Sequence, residues 1–340
     1  MVEINTNELT DAEAEQYDRQ IRLWGLDSQK RLRSSRVLII GVKGLGAEVA
    51  KNITLAGIKS LTLLDDGDVT QDDICAQFLV PRDQIGQNRA EASLARTQNL
   101  NPMVKVTADT TAVADHPDEY FHDFEAICAT KCSYDQLLRL DGICREKGIK
   151  FFCGDVFGFF GFTFADLQTH EFAEEVTEFK PAAFVDEPAA KRTKVEPVKT
   201  TVKRTETFVP LKDALGVDWK SESYAKKVKK SESSYFLMKI LFKFRAEKKR
   251  DPAPESRESD IEELKRIRDE ELPSMGIPLE KVPDHLLSML FAEVSPACAI
   301  VGGVLSQEII KALSQHEAPH NNMFFFNPER NLGHVECVGA

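Results

Sequence analysis

The sequence contains no Cys-x-x-Cys pair, and this absence argues against a structural zinc site. Its seven cysteines are scattered through apolar segments without a spacing framework, at Cys75, Cys128, Cys132, Cys144, Cys153, Cys298 and Cys337. An odd number of such cysteines is typical of a protein from a reducing compartment whose thiols are free and buried. We therefore predict an intracellular protein whose thiols are structural.

Basic charge and long apolar runs are also scarce. The chain has 44 lysines and arginines against 55 acidic residues, which gives a formal net charge of -11. Nucleic-acid binding needs a basic footprint, so DNA is not an expected partner. The acidic residues 1–16 match neither a signal peptide nor a transit peptide. No run approaches the roughly 18 apolar residues that span a bilayer, so no membrane partner is expected.

Strands alternate with helices between residues 37 and 168. Apolar strands are predicted at 37–41, 60–66, 104–109 and 124–130, and residues 149–167 are also strand-rich. Helices are predicted at about 44–56 and 87–99, and a third is capped by Ser133 and ends at Gly148. This alternation predicts an α/β fold with a Rossmann-like, doubly wound and mostly parallel sheet.

The remaining segments flank this Rossmann-like half. Residues 1–36 are predicted to be N-terminal docking helices. Residues 169–207 lack periodicity and are rich in Pro, Lys, Glu and Thr, which predicts a flexible insert. Its basic cluster, Lys191–Lys194, is either a nuclear import signal or an exposed charged loop. Residues 208–340 complete the domain with helices at 233–244 and 295–314 and a closing hairpin.

A glycine-rich turn follows the first strand in VLIIGVKGLGAEVA (37–50). Gly41 and Gly46 occupy the outer positions of the dinucleotide fingerprint G-x-G-x-x-G, and Asp65 follows where an acid can bond a ribose hydroxyl. Lys43 takes the middle position, where a phosphate needs open backbone, although a lysine can also attract phosphate as a point charge. The residues predict the frame of a nucleotide site and leave binding open.

Three stretches are more specific than this frame: YDRQIRLWG (17–25), residues 41–78, and GGVLSQEIIKALS with HNNMFFFN between 302 and 327. Together they resemble the family that activates ubiquitin-like proteins, whose bacterial relatives adenylate the C-termini of sulfur-carrier proteins. Within the family, the chain resembles the smaller subunits of the heterodimers that activate SUMO. The resemblance implies that one half binds ATP and Mg²⁺ to adenylate the carrier, and that a cysteine of the larger subunit then forms a thioester.

Active halves of this family carry G-x-G-G-x-G, D-x-D, N-x-x-R-Q, a lysine and an aspartate for magnesium. This chain retains part of that pocket and departs from the rest. The retained or altered pocket positions are Gly41, Lys43, Gly44, Gly46 and Asp65; the further departures are Gly67, Asp73, Ala76, Arg89 and Lys131. Gly67 and Lys131 replace the expected metal-binding acids. The resemblance therefore implies a vestigial pocket without metal or cofactor, in an adenylation-deficient half.

The resemblance also implies a role in trans. In the family, an arginine of the Y-D-R-Q-I-R segment reaches the ATP phosphates in the other half, and this position matches Arg19, with Arg22 as a weaker candidate. The implied partners are the larger cysteine-bearing subunit, which binds ATP and Mg²⁺, and SUMO; an import receptor is a further candidate. A nuclear location with some cytoplasmic protein follows. The alternatives are an autonomous adenylating enzyme, an NAD-dependent dehydrogenase, and a scaffold without contact to ATP.

Overall fold

The computed structural model describes residues 9–181, 195–330 and 332–340. Within them, ten strands form two sheets. The strands are β1 (Arg36–Ile40), β2 (Ser60–Leu64), β3 (Lys105–Asp109), β4 (Ala126–Thr130), β5 (Lys150–Phe157), β6 (Phe160–Asp166), β7 (Thr169–Pro181), β8 (Val195–Thr207), β9 (Met323–Asn327) and β10 (Leu332–Glu336). The main sheet has the order β10-β9-β6-β5-β4-β1-β2-β3, and β7 pairs with β8 separately.

The main sheet is parallel from β3 through β5 and antiparallel beyond it. Residues 126–130 of β4 and 37–40 of β1 are fully buried. Such continuous burial is typical of parallel strands covered by helices on both faces. The predicted fold class, a Rossmann-like and mostly parallel α/β sheet, is therefore confirmed.

Thirteen helices flank these sheets in the described residues. They are α1 (Asp11–Gln16), α2 (Asp18–Trp24), α3 (Leu26–Ser34), α4 (Gly44–Ala56), α5 (Gln71–Ala76), α6 (Arg89–Leu100), α7 (Tyr134–Lys147), α8 (Leu211–Leu215), α9 (Glu222–Ala225), α10 (Ser233–Lys248), α11 (Arg257–Ser274), α12 (Asp284–Leu287) and α13 (Ser295–Ser314). One apolar core joins the sheet to α4 and α13, and a second joins the opposite face to α7 and α10.

The ends of α7 follow from its sequence. Ser133 Oγ accepts the Gln136 backbone N–H, and the Gln136 side chain accepts the Ser133 N–H at 2.8 Å, which forms a reciprocal capping box. Gly148 ends the helix with φ at +70°, a left-handed conformation that glycine adopts without steric cost. Both predicted boundaries of this helix are confirmed.

The long helix α13 differs from the expectation that no segment could span a bilayer. By length and composition alone, its 20 residues are long and apolar enough to cross a membrane. However, 72% of its apolar 18-residue stretch is buried inside the protein. The core helix of a globular domain has the same properties, so the composition of α13 is only weak evidence that it spans a membrane. The helix packs against α4, where Asn52 Nδ2 donates to Ser306 Oγ at 3.2 Å.

The flexible insert predicted at 169–207 contains two strands in the part that the structure describes. Strands β7 and β8 pair in an antiparallel ladder from Thr169↔Thr207 to Pro181↔Val195. Residues 200–205 are exposed, so this strand carries no apolar face to reveal its period, although its valine and threonines favour extended backbone. The cluster Lys191–Lys194 lies outside the described residues.

A buried pair of carboxyl groups joins α7 to β6. Asp141 Oδ2 accepts the Leu211 N–H at 2.8 Å, and Asp166 Oδ2 lies 2.5 Å from Arg145 Nη1. Burial, followed by the neighbouring Asp166 charge, raises the pKa of Asp141 to about 7. Because this pKa is raised above its unfolded value, the folded state holds an extra proton, and stability falls as pH rises from about 4 to about 7.

We expect the Asp141→Asn variant to lack this loss. The free energy of unfolding of the variant minus that of the wild type should be roughly 2 kcal/mol larger at pH 8 than at pH 5. The reason is that a neutral amide does not become charged beside Asp166 as the pH rises. Urea denaturation at the two pH values measures the difference. Asp135→Asn, an exposed change on the same helix, is the control. If the variant and the wild type differ in free energy of unfolding by the same amount at both pH values, the protonation of folded Asp141 is contradicted.

Candidate functional site

The candidate site lies where β1 and β4 end side by side. After β1 the chain continues to β2 on one side, and after β4 it continues to β5 on the other side. The strand order therefore reverses between β1 and β4. Ligands of open α/β sheets bind at this switch point, beyond the carboxyl ends of the strands. The glycine loop follows β1 and Lys131 follows β4, so the structure brings these predicted pocket residues together.

Two glycines of the loop allow close backbone approach. At Gly41, whose φ is +81°, an added Cβ would lie 2.4 Å from the Thr130 carbonyl oxygen. At Gly46, a Cβ would lie 1.9 Å from the Gly41 oxygen. Thr130 Oγ1 also donates to the Gly41 oxygen at 2.8 Å. These glycines therefore shape the turn from β1 into α4 whether or not a nucleotide is bound.

The acid suited to a ribose hydroxyl is already bound by the protein. Asp65 Oδ2 accepts the Val42 N–H at 2.7 Å, and Oδ1 accepts Arg89 Nη1 at 2.6 Å and the Gly67 N–H at 2.9 Å. Arg89 Nε also lies 3.2 Å from Asp73 Oδ2. Although burial alone would lower it, the two carboxylates raise the pKa of Arg89 above its usual value. This buried arginine thus binds the acid that a ribose hydroxyl would contact in the predicted site.

Lys131 lies among three carboxylates at the end of β4. Its Nζ is 2.9 Å from Asp155 Oδ1, 3.2 Å from Glu293 Oε1 and 3.8 Å from Asp251 Oδ2. It also donates to the Val156 carbonyl at 3.0 Å. Burial would lower the pKa of Lys131, but these acids raise it above the ordinary value. The lysine therefore remains charged and is paired with the carboxylates around it.

Arg245 is a second cation beside these carboxylates. Arg245 Nη1 lies 2.5 Å from Asp155 Oδ2, and Arg245 Nε contacts Asp251 Oδ1. We call Lys131, Arg245, Asp155, Asp251 and Glu293 the switch-point cluster. Its acids are paired with protein cations rather than left open, so this donor set does not suit Mg²⁺. In the described part of the chain, no group of three or more potential ligands could hold a metal ion.

Glu293 makes the contact that motif reasoning did not anticipate. The Gly44 N–H, at the first residue of α4, donates to Glu293 Oε2 at 2.7 Å. Anionic ligands bind to such N–H groups at helix N-termini. The cavity left beside this contact has a volume of about 200 Å³, and Lys43, Cys75 and Asp251 are among its lining residues. Glu293 thus contacts the N–H group that an anion would use at this end of the predicted nucleotide pocket.

Sequence reasoning missed four members of the cluster: Asp155, Arg245, Asp251 and Glu293. Asp155 carried one readable signal, because it interrupts the apolar run FFCGDVFGFF. Buried charges are rare unless they are paired, so an acid in such a strand predicts a nearby cation. Nothing in the sequence specifies which cation, since Arg245 is 90 residues away along the chain.

Arg19 and Arg22 lie on α2, away from this pocket. Gln20 of α2 donates to the Leu55 carbonyl at 3.1 Å, near the C-terminal end of α4, whereas the glycine loop lies at the N-terminal end. A helix of 13 residues is about 20 Å long. Arg22 is paired with Asp18 at 3.0 Å. Arg19 is exposed and makes no hydrogen bond or ion pair to another described residue.

The model of the ThiF family matches residues 17–337, which is nearly the whole chain. The chain belongs to the ThiF family. Several similar proteins carry the name SUMO-activating enzyme subunit 1. The Xenopus laevis protein is 52% identical over 344 residues, covering 100% of both chains. The Homo sapiens protein is 51% identical over 334 residues, or 97% of this chain and 96% of its own. The Danio rerio protein is 50% identical over 336 residues, covering 98% and 97%.

These similarities confirm the resemblance to the SUMO-activating branch of the family. In this ThiF family member, the prediction of buried thiols is confirmed for five of the seven cysteines. Cys128, Cys132, Cys144, Cys153 and Cys298 are buried. Burial raises the pKa of the Cys132 thiol to about 12, which leaves it unreactive as a nucleophile. The expectation of seven buried thiols is wrong for Cys75 and Cys337, because both are exposed.

Proposed function

We propose that this chain is the regulatory, non-catalytic subunit of a heterodimeric SUMO-activating enzyme. Its larger partner would bind ATP and Mg²⁺, adenylate the C-terminus of SUMO and take it as a thioester. The full-length similarity to proteins named SUMO-activating enzyme subunit 1 is the observation that carries this proposal. Two ion pairs support it, since Lys131 binds Asp155 and Arg89 binds Asp65, an acid that a nucleotide would otherwise contact. An autonomous enzyme or an NAD-dependent dehydrogenase is not favoured.

A surface next to Arg19 suits the larger subunit. Leu23 of α2 is 74% exposed, Leu55 of α4 is 42% exposed and Ile300 of α13 is 44% exposed. A cavity of about 300 Å³ lies between these three helices, lined in part by Trp24 and Gly303. Exposed apolar side chains around a concave surface are typical of protein interfaces. We call this the α2–α4–α13 face and propose that it binds the larger subunit.

Arg19 extends from the same helix as Leu23. A residue at the edge of the α2–α4–α13 face is placed to cross into a bound partner, and Arg19 has no competing ion pair among the described residues. An arginine that reaches ATP phosphates stabilises the charge that develops on them during adenylation. This is the contribution that we propose for Arg19. Arg22 is the weaker candidate because Asp18 already binds it.

Adenylation assays test the proposed division of labour. The full chain with ATP, Mg²⁺ and SUMO should give no exchange of pyrophosphate into ATP, because the acids of the switch-point cluster are paired with Lys131 and Arg245. Adding the larger subunit should start the exchange and allow a thioester to form. Exchange by the chain alone, at a rate comparable with that of the pair, would contradict the proposal. Titration with Mg-ATP and NAD would then identify the nucleotide.

The place of action in the cell follows from the reaction. We propose a nuclear protein with a cytoplasmic fraction, imported through a receptor that recognises Lys191–Lys194. Replacing the three basic residues of that cluster with alanine should move a fluorescent fusion of the full chain towards the cytoplasm. An unchanged distribution would assign import to the partner subunit or to another segment.

A further inference from the structure

We propose that Asn101 is a positioning residue for adenylation, because it holds α2, and with it Arg19, against the last turn of α4. This inference rests on the proposed role of Arg19 in trans. Asn101 directly follows α6 and is only 1% exposed. Its Nδ2 donates to the Tyr17 hydroxyl at 2.9 Å and to the Thr54 carbonyl at 2.9 Å. One buried amide thus joins the residue that precedes α2 to the end of α4.

The last turn of α4 accepts hydrogen bonds from three side-chain amides. The final carbonyl groups of a helix have no partner within the helix, so other groups must donate to them. The donors and acceptors are Asn101 to Thr54 at 2.9 Å, Gln20 to Leu55 at 3.1 Å and Gln29 to Ala56 at 2.9 Å. Gln20 belongs to α2 and Gln29 to α3. These hydrogen bonds therefore attach the N-terminal helices to the end of α4.

Tyr17 is held against the end of α4 by its ring as well as by its hydroxyl. The residue is 2% exposed. A Cβ at Gly57, whose φ is +82°, would lie 2.4 Å from Tyr17 Cζ, so the ring lies directly on the backbone that ends α4. The Tyr17 carbonyl accepts the Ile21 N–H at 2.8 Å in the first turn of α2. The position of Tyr17 therefore sets where α2 begins, and Arg19 is two positions further along.

The helix α2 has little else to fix its orientation. None of its seven residues, all within the described chain, is buried. A helix of this length is not stable by itself in water. Misplacement of a catalytic group by about 1 Å can slow a reaction about a hundredfold. A change that loosens α2 should therefore lower the adenylation rate even though Arg19 is still present.

A double-mutant cycle in the reconstituted pair tests this role. With Arg19 present, Asn101→Ala should lower kcat for pyrophosphate exchange about tenfold and leave KM for SUMO within about twofold of the wild type. In the Arg19→Ala background, the same change should lower kcat by less than about twofold, because no guanidinium remains to be misplaced. A residue needed only for folding would lower kcat by the same factor in both backgrounds. That outcome would overturn the proposal, as would wild-type kcat in Asn101→Ala.

Tyr17→Phe covers the case in which Asn101→Ala does not fold. It keeps the ring on Gly57 and removes only the hydroxyl that accepts from Asn101. We expect kcat to fall about threefold with Arg19 present and to stay unchanged in the Arg19→Ala background. Thr97→Val is the matched control, because it also removes a buried hydroxyl, whose hydrogen bond to the Ser93 carbonyl lies within α6. The control should keep the kcat of the wild type.

The same assays separate this inference from the function on which it rests. No exchange by the wild-type pair would contradict the proposed function, and wild-type exchange by Arg19→Ala would contradict the role of Arg19. Either result would overturn the positioning role as well. If the wild-type pair is active and Arg19→Ala is slow, equal effects of Asn101→Ala in both backgrounds would show that only the positioning role is wrong.

Discussion

We expect the Arg19→Ala variant, paired with the larger subunit, to adenylate SUMO about a hundredfold more slowly than the wild-type pair. Removal of one preorganised donor to developing phosphate charge costs a factor on the order of a hundred in comparable sites. Arg19 is exposed and unpaired among the described residues, so the truncation leaves no buried group without a partner. Exchange of pyrophosphate into ATP measures the rate, and gel filtration measures assembly.

Arg22→Ala is the matched control for this experiment. It removes the same charge from the same helix, but Arg22 is bound to Asp18 and 77% exposed. We expect its exchange rate to fall less than threefold, as for a screened surface ion pair. Wild-type activity in Arg19→Ala would remove Arg19 from the mechanism and favour a scaffold role for this chain. Loss of assembly in Arg19→Ala would assign it to the interface instead.

A second large effect is expected at Lys131. In the Lys131→Met variant, Glu293 loses its only described ion pair, while Asp155 keeps Arg245. Removing one partner of a buried ion pair leaves an uncompensated charge and typically costs about 3 to 5 kcal/mol. Since Lys131 is 14% exposed, we expect a loss of about 3 kcal/mol in the free energy of unfolding. Chemical denaturation of the full chain measures it.

Lys226→Met is the control for this stability change. Lys226 is paired with Glu222 at 2.9 Å, but both side chains are exposed on α9. Such a pair contributes less than about 0.5 kcal/mol. Similar free energies of unfolding for Lys131→Met and Lys226→Met would show that the switch-point cluster is not a stabilising network. A large difference between them would support its role in closing the pocket.

Much of the fold could be predicted because each element carries a local signal. The helix predicted at 44–56 has these same bounds in the structure, since it begins at a glycine turn and stops at Gly57, whose φ is +82°. The paired strands β7 and β8 were missed for the opposite reason. Residues 200–205 of β8 are exposed and carry no alternating apolar residues, so this part of the ladder resembles an irregular segment in sequence, although His170 and Phe172 of β7 are buried.

The residues of the candidate site could likewise be predicted from the sequence only in part. Lys131 and Gly67 could be interpreted from the sequence because the resemblance leads us to expect an acid at each of these motif positions. The groups that bind Lys131 could not, because Asp155, Asp251 and Glu293 come from segments that only the tertiary fold brings together. A motif can show that a ligand is missing, but it cannot show which side chain has taken the place of that ligand.

The β6–β9 pairing has a consequence for synthesis on the ribosome. Phe162 of β6 lies opposite Phe325, which is translated 163 residues later, and α4 is covered by α13, which begins 251 residues after α4 begins. At about 5 to 20 residues per second, the nascent chain carries an open strand edge and an uncovered apolar helix for roughly 10 to 50 seconds. Chaperone binding during translation is therefore expected on the first half of this chain, until residues 295–327 emerge.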